Sequence, residues 1–503
     1  VPSLQKSFKQ IRKLESLFQL GEDMGNYVPK SCSNCKKCST CTFAGSSITQ
    51  KERIQLEYIE RGIVHDETEK VFKVKYPFLE DPREALTDNR RQAIAYAMSL
   101  EKKLQKQNLK EGFDAEFQKF INTKSLREIS EEEQRNWSGP VHYVPLQLVV
   151  NLDSQSTPLR IVTNTSCRDP VTGKSLNSIL AKGPNLLSDP YKILLRFRNR
   201  KYAICTDVTK AYHGLRTGEP EMHLRRVVYR KPGEDKWKTY GFLCVSFGDI
   251  SAQAILECCL KKVAKAGRKM DLVASVMVEL DRFVDDLPSG HDLREVIDRL
   301  RGEILENWQT TGTLAALFAL GGFLLKVIAC SGDQEGPMVK KLGGAVLGIG
   351  WNTETDKFSI RLPVNISKRK RGTVSGPDLT TATLDSMDGA VFTKRILLSV
   401  TMTIYDPIGL VTPVTIRMKW LLQQLGKNRE AGWDDPICPE DRPKWTEIIT
   451  QLVKKGELTF SRSCKPKDVD VNGSVTLITY MDGSDAAKAF VAYIRYILLS
   501  GNP

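Results

Sequence analysis

No apolar run in this sequence is long enough to cross a bilayer. The longest, "LAALFALGGFLL" from Leu314 to Leu325, is closed by Lys326, whereas a helical span takes about 20 apolar residues. The opening "VPSLQKSFKQ" lacks the basic, apolar and small-residue succession of a signal peptide. A soluble chain without a membrane partner is expected, and a start at Val1 instead of Met reads as a fragment or processed piece. A disulfide framework is also missing: of 12 cysteines, eight are scattered singly or stand as the pair Cys258–Cys259. That usage favours a reducing, intracellular setting. Acidic charge is in deficit, 60 Asp and Glu against 74 Lys and Arg, for a net charge of +14. Such a surplus suits a polyanionic partner, nucleic acid first. No internal repeat is visible.

What is there exceeds one ordinary core: 503 residues are expected to form about two to four domains. Residues 1–30 carry a weak helical spacing (Phe8, Ile11, Leu14, Leu17, Phe18), followed by "CSNCKKCSTC" from Cys32 to Cys41. Residues 51–120 read as mostly helical, with Thr87 or Asp88 as cap of a helix whose Ala93, Ala97, Leu100 and Leu104 share a face. After Trp137, β-branched runs appear at 143–150, 159–164, 201–207, 223–230 and 240–248, with helical stretches at Ser188–Arg198 and Ser251–Ala266 between them. "LGGAVLGIGWN" (342–352) and "DKFSIRL" (356–362) read as a hairpin, residues 364–385 as a loop or linker, and 386–456 as helix again. Strands and helices mix without a regular βαβ rhythm, which predicts an α+β fold.

Two acids stand side by side in "DRFVDDLPSG", Asp285 and Asp286. The run before them, "SVMVELDRFV", is expected to be an apolar-alternating strand that turns back at the acids. In the strand "KYAICTD", Ala203, Cys205 and Asp207 share a face. If the two strands are neighbours, Asp207 and Asp285 meet. Grouped carboxylates away from water repel one another unless a cation shares them. Mg²⁺ prefers hard oxygen ligands and leaves room for phosphates. Two such ions can lower the charge on an attacking hydroxyl and a leaving pyrophosphate. The acids therefore read as a metal seat, although "DD" alone is ordinarily a turn or a helix cap. Residues around them fit the same chemistry. Tyr212 lies five positions after Asp207, close enough to return a ring that excludes a sugar 2′-hydroxyl or simply packs in the core. Gly248, after Phe247, permits close approach of a base pair or template strand. Arg160 offers a guanidinium to a triphosphate, or else a surface ion pair.

Taken in order, these stretches resemble the reverse transcriptase of LTR retrotransposons of the BEL/Pao group. The resemblance is carried by "WSGPVHYVP", "LRIVTNTS", "SLNSILAKGPNLL", "LLRFRNRKYAICTDVTKAYHGL", "VSFGDISAQ", "FVDDLPSG", "GGFLLKVIACSGD", "LGIGWNTETDKF", "YDPIGLVTPVTIRMKWLLQQL" and "GWDDP", in family order from about 137 to 436. It implies a right-hand polymerase fold with fingers, palm, thumb and connection. It also implies an RNA-directed DNA polymerase, the central piece of a Pol polyprotein, that extends a DNA primer on an RNA or DNA template with deoxynucleoside triphosphates and two Mg²⁺. The setting implied is a cytoplasmic particle with a nuclear stage. Asp207 and Asp285 would hold the metals and Asp286 support them. Arg160, Tyr212, Phe247, Gly248 and Lys326 would contact substrate, Lys326 as proton donor to pyrophosphate. Leu347, Gly348 and Trp351 would hold the primer end. The implied segments are a mostly helical 1–136 with the Cys-rich 32–41, fingers and palm 137–363, a linker 364–385, thumb and connection helices 386–465, and the start of a ribonuclease H-like domain at 466–503. Two departures stand out. Pro288 is expected to shorten or bulge the return strand, and Asn164 stands where an acid is common. A relic that binds nucleic acid without catalysis is the alternative; a cellular DNA polymerase is disfavoured by the thumb stretch.

At the far end, "TYMDGSDAAKAFVAYIRY" resembles the first strand of a ribonuclease H domain, with Asp482 as its first acid. No ribonuclease H activity is expected, because the further acids that fold needs, on later elements, do not appear before Pro503. Protease and integrase signatures are missing too. Near the start, Cys32, Cys35, Cys38 and Cys41 form C-x2-C-x2-C-x2-C. Four thiolates suit Zn²⁺; an iron–sulfur cluster and no metal both stay open, since ten residues are few to wrap one ion.

Overall fold

The computed structural model describes residues 48–500 apart from 152–157, 306–309, 335–344, 368, 371–372, 375, 428–430, 467, 471–472 and 485–486. The Cys32–Cys41 segment lies outside the described residues. The protein is a mixture of α-helices and several small sheets. It divides into two compact units that are discontinuous in sequence and cut across the contiguous segments expected from the resemblance. Among the described residues, no helix is long and apolar enough to cross a membrane.

One unit comprises 1–187, 208–279 and 315–324. The helix Gln50–Arg61 starts at a capping box in which Thr49 and Glu52 satisfy each other's backbone N–H. The helix Arg90–Lys106 has Asp88 accepting from the Arg90 N–H at 3.0 Å, and it buries Ala93 and Leu104 on the expected face. On the next helix, Lys110–Asn122, Phe113, Phe117 and Phe120 fall three and four residues apart and are all buried. They meet aromatic rings of the sheet formed by Leu126–Ile129, Lys238–Phe242 and Arg226–Tyr229, with Phe117 stacked on Tyr229 at 3.8 Å. Leu146–Val150 and Leu159–Thr163 pair as a separate ladder. The helix Ala252–Gly267 exposes Lys261, Lys262 and Lys265 on its polar side and buries most of the rest, Glu257 included.

The other unit comprises 188–207, 280–314 and 325–503. Its core gathers Leu194, Phe197, Trp351, Phe358, Leu397 and Trp445. Three strands form one small sheet, in the order Asp286–His291, Tyr202–Val208, Leu325–Cys330. Beside it, Ala345–Val346, Ile349–Asn352, Lys357–Arg361 and Glu457–Ser461 make a four-stranded antiparallel sheet. Three helices follow, Lys394–Thr403, Thr412–Lys427 and Arg442–Lys455. Val475–Gly483 and Lys488–Tyr496 close the described chain as a hairpin whose side chains are mostly exposed.

Three expectations are corrected. Residues Leu272–Leu280 are an α-helix, not the strand leading into the acids. The strand Asp286–His291 is neither shortened nor bulged at Pro288, for its register against 202–207 is continuous over six residues. It is an edge strand, where alternate N–H groups stand outside the ladder and proline is tolerated. The 364–385 linker is tied down in part: Arg369–Lys370 pairs with Thr373–Val374, and the Leu379 N–H donates to the Val364 carbonyl at 2.7 Å.

Candidate metal centre

The strand Tyr202–Val208 is central in its sheet, so Ala203, Ile204, Cys205 and Thr206 are buried on both faces. Asp207 is the half-buried carboxylate where that strand emerges. Opposite it in register stands Asp286, the first residue of the neighbouring strand. Asp285 is exposed in the turn before it. That turn is tight: the Phe283 N–H donates to the Asp286 carbonyl at 2.8 Å, and the Asp286 N–H donates back at 3.0 Å. Two residues remain in the loop, and the first, Val284, has φ +57°. A positive φ at the first loop position and not the second is the type II′ pattern, which ordinarily takes glycine there.

Among the described residues, carboxylate oxygens of Asp207, Asp285 and Asp286 lie within 4.8 Å of one another. The donor set fits a hard divalent cation. All three ligands are oxygens, and Mg²⁺ holds such oxygens at about 2.1 Å, so that opposite ligands sit about 4.2 Å apart. Beneath the acids, burial and then the charges of Asp286 and Asp207 push the Cys205 thiol well up, which keeps it protonated.

Arg160, Tyr212 and Phe247 form a second group in the other unit. The Arg160 guanidinium, exposed on its strand, lies 5.5 Å from the Phe247 ring centre. Tyr212, half-buried on the short 3₁₀ helix Ala211–Gly214, meets the same ring edge-on at 5.0 Å. Gly248 has φ +111°, and a Cβ there would lie 2.5 Å from the Thr163 carbonyl oxygen. The close approach it permits is thus to the protein's own backbone.

The residues expected at a primer end divide. Leu347 and Gly348 form the two-residue turn between Ala345–Val346 and Ile349–Asn352, with φ +47° and +85°. Trp351 is buried in the core, where its Nε1–H donates to Asp356 at 3.0 Å, so its ring is not offered to a ligand. Lys326 lies on the strand Leu325–Cys330, not on a helix. Asp482 is exposed in the terminal hairpin.

A second acidic group, Glu133, Glu219 and His223, also has its ligand atoms within 4.8 Å. No sequence signal joins these positions. It does not fit a metal. Arg226 donates to His223 Nδ1 from Nε at 3.1 Å and from its terminal nitrogen at 2.7 Å, which makes Nδ1 an acceptor. In the neutral ring the proton is then on Nε2, where a metal would need a lone pair. Sequence reading also missed Arg196, Asp281, Arg282 and Ser289, which surround the acidic turn; Asp281 stands inside the same ten-residue stretch but has no motif to mark it.

A mixed α/β protein with three converging carboxylates belongs to the broad class whose acids suit divalent cations. More particularly, the model of the Pao retrotransposon-like RNaseH-like domain matches residues 393–502. The match supports a retrotransposon Pol relationship and gives the chain an RNaseH-like C-terminal domain. It takes in both the helices 394–455 and the terminal hairpin. No curated protein matches the chain.

Proposed function

We propose that this chain is the RNA-directed DNA polymerase part of a BEL/Pao-type Pol protein, with a right-hand architecture. The observation that carries the reading is the convergence of Asp207 with Asp285 and Asp286, which lie 78 and 79 residues further along the chain. Asp207 and Asp285 would hold divalent metal, Mg²⁺ by the hardness of the donors, and Asp286 would complete the carboxylate set. When bound, the ions neutralise charge on the attacking 3′-hydroxyl and the leaving pyrophosphate. The protein's own share is positioning and charge. Its strand and turn fix the carboxylates. The surplus of Lys and Arg gives a salt-sensitive grip on nucleic acid.

Primer extension on poly(rA) with an oligo(dT) primer and Mg²⁺ tests this. Asp285→Asn is expected to lower extension by on the order of 100-fold or more while duplex binding stays nearly intact. Equal extension by the variant refutes the site. No extension by the unaltered chain, with salt-sensitive duplex binding kept, means a non-catalytic binder.

A further inference from the structure

The acidic turn does not hold itself. Val284 sits in a left-handed conformation that costs a side-chain-bearing residue about 1–2 kcal/mol, and a β-branched side chain is especially ill suited to it. The strand after it is an edge strand with a single neighbour. Such a strand resists slippage only as far as its side chains fix it, and a slip of one residue would turn Asp286 to the opposite face.

Four polar residues of the same unit supply that fixing. Asp281, just before the turn, is 9% exposed, and Ser289, three residues past the acids, is 1% exposed. The Ser289 hydroxyl donates to Asp281 Oδ2, which staples the two arms together across the turn. The other oxygen, Asp281 Oδ1, accepts from Arg196 Nε at 2.5 Å, and Arg196 also donates to the Leu280 carbonyl. Arg196 comes from the helix Pro190–Arg198, which leads into the Asp207 strand. Just before the turn, Arg282, 3% exposed, donates to the Val284 carbonyl at 3.3 Å. Both oxygens of Asp281 are therefore used, one toward the return strand and one toward the segment that carries Asp207.

We propose that Asp281 is a positioning residue: through Ser289 and Arg196 it locks the register of the acidic turn against the Asp207 strand, and so sets the metal affinity of the three carboxylates. It touches no reacting atom. The proposal rests on the metal-centre reading above, and it adds that a neutral hydroxyl on the far side of the turn governs how well metal binds.

The test is Mn²⁺ binding to the full chain, followed by electron paramagnetic resonance, for the unaltered protein, Asp285→Asn, Asp281→Asn, Ser289→Ala and Ser289→Thr. Ser289→Ala and Asp281→Asn are expected to raise the half-saturating Mn²⁺ concentration by about tenfold, the usual effect of losing an outer support of a metal ligand. Ser289→Thr, which keeps the hydroxyl, is expected to restore affinity to within about threefold. Far-UV circular dichroism separates loss of fold from loss of register. If Asp281→Asn does not fold, the Ser289 pair decides. Unchanged affinity in a folded Ser289→Ala protein overturns the positioning role while the metal centre stands. If Asp285→Asn binds Mn²⁺ as the unaltered protein does, the metal centre falls and the positioning role with it.

Discussion

At the scale of single residues, the centre is a balance between strain and support. Val284 pays about 1–2 kcal/mol for its positive φ, whereas glycine there would pay about 0.5–1 kcal/mol in chain entropy. Val284→Gly is therefore expected to stabilise the fold by up to about 1 kcal/mol in urea unfolding and yet weaken Mn²⁺ binding. The turn would then no longer be confined to the conformation that presents Asp285. Gain of stability with loss of affinity identifies strain kept for the site; a loss of both would mean that valine's own contacts outweigh its backbone. Cys205 belongs to the same scale. With its thiol pushed well up by burial and by the two acids beneath which it lies, it is expected to resist alkylation at pH 8 in the folded protein and react once unfolded.

At the scale of elements, the pairing of Asp286–His291 with Tyr202–Asp207 does most to make the site. Gly290 is what lets these strands approach. A Cβ there would lie 2.5 Å from the Tyr202 carbonyl oxygen and 2.8 Å from Arg200 Cβ. Gly290→Ala is expected to cost about 1–3 kcal/mol of stability, the usual range for overpacking, and to weaken metal binding in step, since backbone must shift. Equal stability would show that the ladder has slack. Its partner strand was expected in the run before the acids but is the one after them; the strand "KYAICTD" itself was legible in the sequence, because it is short, holds small and β-branched residues and ends in an acid. The helix Leu272–Leu280 was not. It exposes Leu272, Val276 and Leu280 and buries Ala274, Ser275, Met277 and Val278, so apolar residues lie all round it. An apolar run of that kind has no period to read. The spacing of Trp351 after the Leu347–Gly348 turn is visible in the sequence, but not that its ring turns inward to Asp356. The Asp281–Ser289 staple was illegible because it depends on which face each arm presents once paired.

At the scale of the whole molecule, histidine is scarce, five in 503 residues, yet three that are buried bear on stability. His213 is 8% exposed, edge-on to the Phe120 and Phe247 rings, and its Nδ1 has no hydrogen-bond partner. Burial, then the nearby charge of Lys210, pull its pKa down from 6.5 to about 4. His223, fully buried beside Arg226, is pulled down to about 4 by the same kinds of cause, and burial lowers His142 as well. Above pH 6.5 these rings are neutral folded or unfolded and stability does not depend on them. Below it, the unfolded chain takes up protons that the folded chain refuses, so stability falls as pH falls, until the folded rings protonate near pH 4. For His213 alone the loss reaches about 3 kcal/mol at pH 4, and the other two act in the same direction. Against a total of about 5–15 kcal/mol, that is enough to unfold a marginal unit in mild acid. The clean window is pH 6.5 to 5.5, above the range in which carboxylates begin to titrate, and Asp66, held at about 2 by Lys73, contributes nothing there. Urea unfolding across that window is expected to show falling stability, and His213→Phe, which fits the aromatic surroundings and cannot protonate, is expected to make the fall shallower. An unchanged slope in that variant would mean that water reaches the ring and that His213 titrates normally.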